Sequence, residues 1–427
     1  MNLLEFSLTR FSRLSAEGID LIIKKIASSP HIHNLVKKQE KKKLEKLHHL
    51  KNILILGDMN IGDAVNIQSF INPLKHTLPE VNINYIYSQQ AYPLVRDHPS
   101  IDNHFPVFRS FGLPSRRDYR EVRKILKKNR FDLIINLSPF FSQRDLRSEH
   151  TAVLMPIRLI GNIISAIASE KEYAHIAYQL SRFANEIGEK IHQDRNNKTG
   201  LPLPFQGTFI YLSSEILRRT ERIMSQLGIH SRARKILFNP DTSSRFTQIP
   251  FSFQLELLKG ILPDKNLDQL LLSSGFTFKG IEKRLDAKLP SHLRKKVILI
   301  PPTVSIEEYT ALIDRCQLFI SGDTGPLHLA AARKIVVHAE NQCRNSTAVV
   351  NIFGATDSRI YGYDSSSGKH LPANQNAPSR VFEGKPRCKN LTCIHKLAKK
   401  CSKVRCFEGL EPAQVIDYVR SYLSSPA

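Results

Sequence analysis

The stretch Leu318-Phe319-Ile320-Ser321-Gly322-Asp323-Thr324-Gly325-Pro326-Leu327-His328-Leu329-Ala330-Ala331-Ala332 decides the fold. A short apolar run ends in a turn of small residues and opens on an Ala-rich segment, the pattern of a buried parallel strand feeding a helix. Pro326 lacks an N–H and has a fixed φ that suits a first helical turn, and Gly325 permits close backbone approach. The backbone N–H groups of Thr324, Gly325 and Leu327 can face an anion there, with the helix dipole adding favourable potential. His328 can then contact a phosphate or a sugar. The plainer reading makes Asp323 and Thr324 ordinary N-cap residues and His328 a satisfied, half-buried histidine.

The same alternation runs outward in both directions. Strands are expected at Ile53–Leu56, Asn82–Tyr87 and Phe131–Leu137, with a basic helix over Tyr119–Lys128. A second series runs from Ile236–Asn239 through Gln269–Ser273, Val297–Ile300, Leu318–Ser321 and Val349–Phe353. Strands alternating with helices predict an α/β protein, and 427 residues are too many for one ordinary core. The predicted organisation is a basic helical extension at 1–50, one Rossmann-like domain at 51–206, a connector at 207–234, a second Rossmann-like domain at 235–410, and a closing helix at 411–427 begun by Pro412. Gly200–Gln206, with Pro202 and Pro204, reads as a linker, and Thr208–Gly228 as a helical connector.

Charge narrows the partners. Lys plus Arg number 62 against 39 Asp plus Glu, a formal net charge of +23. Such a surface attracts nucleotide phosphates, anionic lipid, phosphorylated glycolipid or nucleic acid; of these nucleic acid is the least expected, and a solvated basic surface without a specific partner is the alternative. Leu14, Ile19, Ile22, Ile23 and Ile26 form one apolar face beside Lys24 and Lys25, followed by Lys37, Lys38, Lys41, Lys42, Lys43 and Lys46. A segment of this kind lies on an anionic membrane or packs its stripe on the protein body. Met1–Leu50 has no secretory pattern, and the apolar stretch Thr151–Ala168 is interrupted by Pro156, Arg158 and Asn162. The stretch reads as a buried or groove-lining helix, and the chain as cytoplasmic, with peripheral contact to an anionic inner membrane.

Gly57-Asp58-Met59-Asn60-Ile61-Gly62-Asp63 follows the first strand. Gly57-x4-Gly62 is not a phosphate loop, because Asp63 stands where Lys would follow, and a carboxylate there repels pyrophosphate. At the carboxyl end of a strand Asp63 is suited to accept a proton; its plainer role is to cap the following helix.

Asp323-Thr324-Gly325-Pro326-Leu327-His328-Leu329-Ala330-Ala331-Ala332 resembles the D-T-G-x-x-H-x-A-A-A signature of the heptosyltransferase-like glycosyltransferases, family nine. Ile53–Ala64 is similar to that family's first strand and G-D loop, and Asn239-Pro240 with Thr242, Ser243 and Ser244 to its N-P-x-x-S turn. Pro302–Glu308 resembles the segment before the signature, and Ile352-Phe353-Gly354-Ala355-Thr356-Asp357 the L-F-G-x-T-D strand end. The resemblance spans about residues 50 to 424. It implies a GT-B fold, two Rossmann-like domains facing a central cleft, with the acceptor on the first and the donor on the second. It also implies inverting transfer that needs no metal or other cofactor, from a nucleotide-diphosphate sugar, by family default ADP-heptose, to a lipopolysaccharide-type or other glycan or glycolipid acceptor. On that resemblance Asp63 is the catalytic base; Gly322, Asp323, Thr324, Gly325, Leu327 and His328 form the donor loop; Thr242, Ser243 and Ser244 approach the donor phosphates; and Arg245 is the nearest cation to the leaving diphosphate. Gly57 departs from the pattern, since relatives commonly carry Arg there. Glu282 is a candidate ribose-binding acid. Two alternatives remain: a non-catalytic basic binding protein on a degenerate scaffold, and a glycosyltransferase acting on a protein.

Cys388-x4-Cys393-x7-Cys401-x4-Cys406 gathers four of the six cysteines. Four thiolates hold structural zinc or iron tetrahedrally, or remain unliganded thiols. Some relatives carry a cysteine-rich insert in this region. Cys316 reads as core.

Overall fold

Two apolar strand runs seed two separate parallel sheets, and the computed structural model places every pairing within each of them parallel. The structure describes Lys38 and residues 50–425, except 58–59, 110–113, 139–140, 142–144, 147–151, 155–156, 170–171, 194–201, 243–245, 274–277, 338–342, 345, 374–376 and 386–404. The expected N-terminal extension therefore lies outside the described residues, apart from the helical Lys38 and the buried Leu50. The chain divides into two units, residues 1–210 and 211–427.

The first unit begins with β1 (Asn52–Leu56), whose last four residues are all buried, and α1 (Ile61–Thr77). β2 (Asn82–Ser88), β3 (Asn103–Phe108), α2 (Arg116–Lys128), β4 (Leu133–Asn136), β5 (Ala152–Leu154), α3 (Ile157–Ser169) and α4 (Ile176–Gln193) follow. Sheet order is β3-β2-β1-β4-β5, a doubly wound arrangement in which the chain reverses direction beside β1. Burial on both faces explains the unbroken apolar run of β1. α2 starts at a reciprocal capping box of Ser115 and Asp118, and its Tyr119, Val122, Ile125 and Leu126 pack on the core around Ile134 and Phe141. α1 lies against α4, where Ser69 Oγ donates to the Ala177 carbonyl at 2.7 Å. The apolar stretch expected as one helix over 151–168 is instead a short strand followed by α3.

β6 (Phe209–Leu212) crosses the boundary, and the second unit continues with α5 (Ser214–Gln226), β7 (Lys235–Asn239), α6 (Phe251–Ile261), β8 (Gln269–Ser273), α7 (Phe278–Asp286), β9 (Val297–Ile300) and α8 (Ile306–Ile313). Then come β10 (Leu318–Gly322), α9 (Gly325–Ala331), β11 (Arg333–Val336), β12 (Cys343–Arg344), β13 (Ala348–Phe353), β14 (Ser379–Glu383) and α10 (Pro412–Ser424). The main sheet runs β14-β13-β10-β7-β8-β9. Read from β9, this is the 3-2-1-4-5-6 order of a dinucleotide-type fold. β11 carries a small antiparallel ribbon with β12, and Val337 N–H donates to Leu212 O at 2.9 Å. The expected helical connector over 208–228 thus opens with a strand; four residues, Phe209-Ile210-Tyr211-Leu212, are too few to show a period of their own. α10 closes the unit on α6, where Arg420 donates to the Gly260 carbonyl at 2.6 Å. No helix among the described residues is long and apolar enough to cross a membrane.

Candidate functional site

In the first unit, β1 ends at Gly57, whose N–H donates to Ile86 O at 2.9 Å. A Cβ on Gly57 would lie 2.7 Å from both Cε2 and Oη of Tyr85, and 3.1 Å from Ile67 Cδ1. Tyr85 therefore fills the space that a larger residue at 57 would need, and its ring stacks on Tyr87 with centroids 4.6 Å apart. Asn60 takes the N-cap position of α1 but makes no side-chain cap bond. Its Nδ2 donates instead to Asp63 Oδ2 at 2.8 Å. Asp63 is a half-buried carboxylate in the first helical turn. Capping is thus assigned to Asn60 by position, and Asp63 holds the carboxyl end of a central strand.

In the second unit, parallel strands bring Asn239, Ser273, Gly322, Phe353 and Glu383 to one edge of the sheet. Gly322 is wedged there: a Cβ would meet Thr247 O at 3.2 Å and Ile352 O at 3.5 Å. Asn239, which opens the N-P-x-x-S-like turn, is a hub whose partners the motif does not show. Its Nδ2 donates to Asp241 O and Ser321 Oγ, both at 3.1 Å, while its Oδ1 accepts from Ser273 Oγ at 2.8 Å. Beyond it, Thr242 is buried and shares a 2.7 Å hydroxyl bond with Thr247, which ties the turn after β7 to the segment facing Gly322. Ser243, Ser244 and Arg245 lie outside the described residues.

The signature itself folds as strand, turn and short helix. Asp323 is half-buried and its Oδ2 accepts from Thr356 Oγ1 at 2.6 Å, which joins the signature to the L-F-G-x-T-D-like strand end. Thr324 is the N-cap by backbone position without a side-chain cap bond, and Gly325 and Pro326 begin α9. Leu327 corrects one expectation. Its N–H donates to Thr324 O at 3.0 Å and its side chain is fully buried, so it closes the first turn instead of facing an anion. α9 has seven residues, so its dipole contributes less than a long helix would. His328 is buried, and its Nδ1 meets Tyr363 Oη at 2.9 Å. Burial pushes its pKa down to about 4, so the ring is neutral near pH 7. Tyr363, 35 residues along the chain, is held in turn by Asn351, which accepts from its N–H at 3.1 Å and donates to its carbonyl at 2.9 Å. Nothing local in the sequence marks that partnership.

Other candidates separate from this edge. Glu282 sits on α7 with its side chain 67% exposed, 3.6 Å from Arg294, an ion pair at the surface. Cys388, Cys393 and Cys401 lie outside the described residues; Cys406 is buried in the second core beside Phe407. Cys316 is core, as expected, and burial pushes its thiol up to about 12. Arg359 is engaged by Asp357 through bonds of 3.0 and 2.7 Å.

Comparison with known proteins supports what the signature suggests. Residues 213–376 match the model of glycosyltransferase family 9 (heptosyltransferase). The matched stretch holds the turn after β7, the signature and the strand end after β13. Lipopolysaccharide heptosyltransferase 3 of Escherichia coli is 24% identical over 317 residues, covering 69% of this chain and 81% of the relative. The glycosyltransferase family 9 structure from Veillonella parvula superposes with a TM-score of 0.60 at 16% identity, over 87% of this chain and 97% of that one. The E. coli ADP-heptose lipopolysaccharide heptosyltransferase II gives a TM-score of 0.54 at 17% identity, over 87% and 98%. These likenesses give the chain a GT-B-like fold of two Rossmann-like parallel sheets.

Proposed function

We propose that this family 9 enzyme transfers a sugar, with inversion, from a nucleotide-diphosphate sugar to a hydroxyl of a lipopolysaccharide-type glycan. ADP-heptose is the donor we favour, because that donor is named for a relative of the same fold. The observation that carries the reading is the signature edge. Gly322 lets two backbones close on the turn, Asp323 is joined to Thr356, and His328 is held neutral by burial and Tyr363. A turn so fixed supplies pre-organised polar groups to a diphosphate, the arrangement that stabilises charge developing on a leaving group.

In the proposed reaction Asp63 removes the proton from the acceptor hydroxyl. The new oxygen–carbon bond forms at the anomeric carbon as its bond to the diphosphate oxygen breaks, and the nucleoside diphosphate leaves with the electron pair. Asp323, Thr324, Gly325 and His328 hold the donor, with Thr242, Ser243 and Ser244 beside the phosphates. Arg245 is proposed to offset the leaving charge where other enzymes employ a metal ion. His328 contributes a hydrogen bond and not a charge, because it remains neutral well below pH 7. A nucleotide-sugar donor locates the reaction in the cytoplasm. The test is thermal stabilisation by ADP, UDP, GDP and their sugars, compared side by side. One nucleotide is expected to stabilise selectively and to lose that effect in Asp323→Ala and His328→Ala. No stabilisation by any of them at about millimolar concentration would refute the donor site.

A further inference from the structure

α2 presents a face that the transfer reaction does not use. Its sequence, Arg116-Arg117-Asp118-Tyr119-Arg120-Glu121-Val122-Arg123-Lys124-Ile125-Leu126-Lys127-Lys128, divides cleanly at about 100° per residue. Tyr119, Val122, Ile125 and Leu126 occupy one side and are committed to the core, with Tyr119 4.7 Å from the Phe141 ring centroid to centroid. Arg116, Arg117, Arg120, Arg123, Lys124, Lys127 and Lys128 fill the opposite side, and all seven are exposed. Among the described residues two acids approach this face: Glu121, 3.0 Å from Lys124, and Asp145, 3.8 Å from Arg123. Asp118 is buried in the capping box and takes no part. Among the described residues most of the positive charge is therefore uncompensated, along a ridge about 20 Å long.

We propose that the outer face of α2 docks the enzyme on the surface of a bilayer carrying anionic headgroups. Clusters of four to eight Lys and Arg on an amphipathic helix suit anionic lipid, each cation near the surface adding roughly a fivefold factor in affinity. An interfacial helix usually inserts its apolar side, but here that side is occupied by the protein core. The contact is therefore electrostatic and peripheral, made by charged heads on long apolar stems. Nucleic acid fits the face less well, since base stacking and base reading call for aromatic or amide side chains, and the outward arc carries neither. The inference is independent of the transferase reading, because docking needs no turnover.

The full chain is tested by co-sedimentation with vesicles of phosphatidylglycerol in phosphatidylcholine, with phosphatidylcholine vesicles and single-stranded RNA as the other arms. Binding is expected to anionic vesicles, to fall steeply with added salt, and to be absent on neutral ones. The variant Arg120→Gln/Arg123→Gln/Lys124→Gln/Lys127→Gln is expected to lose at least about a hundredfold in vesicle affinity, with an unchanged circular dichroism spectrum and melting temperature. A charge-matched control, Arg218→Gln/Arg222→Gln/Lys259→Gln/Lys288→Gln, removes the same charge from exposed positions of the second unit and is expected to bind within a few-fold of the wild type. Wild-type affinity in the α2 variant, an equal loss in the control, or binding to RNA without binding to vesicles would each overturn the proposal.

Discussion

Substituting His328 with Gln should flatten the acid limb of the stability curve. In the folded enzyme burial depresses the His328 pKa from 6.5 to about 4, and in the unfolded chain it returns to the ordinary value. Between those values the unfolded state binds a proton that the folded state refuses, so stability is intact above about pH 6.5 and is lost as pH falls towards about 4. Taking both states from about pH 7 to about pH 5, this one ring costs roughly 2 kcal/mol. His328→Gln keeps an amide that can accept from Tyr363 but cannot titrate, so every other pH-dependent term is shared by the two proteins. Urea unfolding followed by far-ultraviolet circular dichroism suits a chain without Trp. Between the two pH values the wild type should lose about 1 M more in its urea midpoint than the variant. Parallel pH dependence would refute the assignment of His328 as a buried, neutral ring. His98 in the first unit, depressed to about 3 by burial, titrates identically in both proteins and cancels.

Three further outcomes are expected. Asp63→Asn should lower transfer by about a hundredfold or more while leaving nucleotide-induced thermal stabilisation unchanged; full activity would remove it as the base. Gly57→Arg should destabilise by about 1–3 kcal/mol because the Tyr85 ring occupies its Cβ position, and Tyr85→Ala in the same chain should recover part of the lost melting temperature. Lys334 Nζ lies 2.8 Å from Asp314 Oδ1, the two side chains 1% and 6% exposed. Lys334→Met should therefore cost about 3–5 kcal/mol in urea unfolding by taking the ammonium away from a buried carboxylate, whereas Lys334→Met with Asp314→Leu should recover most of it.

What could be read from the sequence follows from burial. Central parallel strands are covered on both faces, so Ile53–Leu56, Leu270–Leu272 and Leu318–Ile320 stand out as unbroken apolar runs. β6 and β5 are shorter, four and three residues, and each is absorbed into a neighbouring helical pattern. β11, Arg333-Lys334-Ile335-Val336, opens on two cations, one of them buried through its contact with Asp314. The site divides in the same way. Gly322, Asp323 and His328 are contiguous and visible as a motif, whereas Asn239, Thr247, Asn351 and Tyr363 act across the sheet edge at long separations in the chain. Leu327 misled because motif spacing treats its N–H as available, while the first turn of so short a helix consumes it.

The electrostatics of that edge constrain how a diphosphate can leave it. His328 is neutral near pH 7, and Tyr363 beside it is pushed well above its ordinary value by burial, so it too stays uncharged. Thr324 and Gly325 supply polar groups alone. Asp323 brings a negative charge, and its bond from Thr356 directs that carboxylate towards the strand end. Arg359 spends its guanidinium on Asp357, with which it forms an ion pair of no net charge. The described signature edge therefore supplies dipoles and hydrogen bonds without net positive charge. Stabilising the pair of phosphates as their bond to the sugar breaks requires a cation from another segment. The turn after β7 is the segment already tethered to this edge, through Thr242 and Thr247, and Arg245 lies within it by sequence. The proposal for Arg245 thus rests on the charge the rest of the loop lacks as much as on its place in a motif.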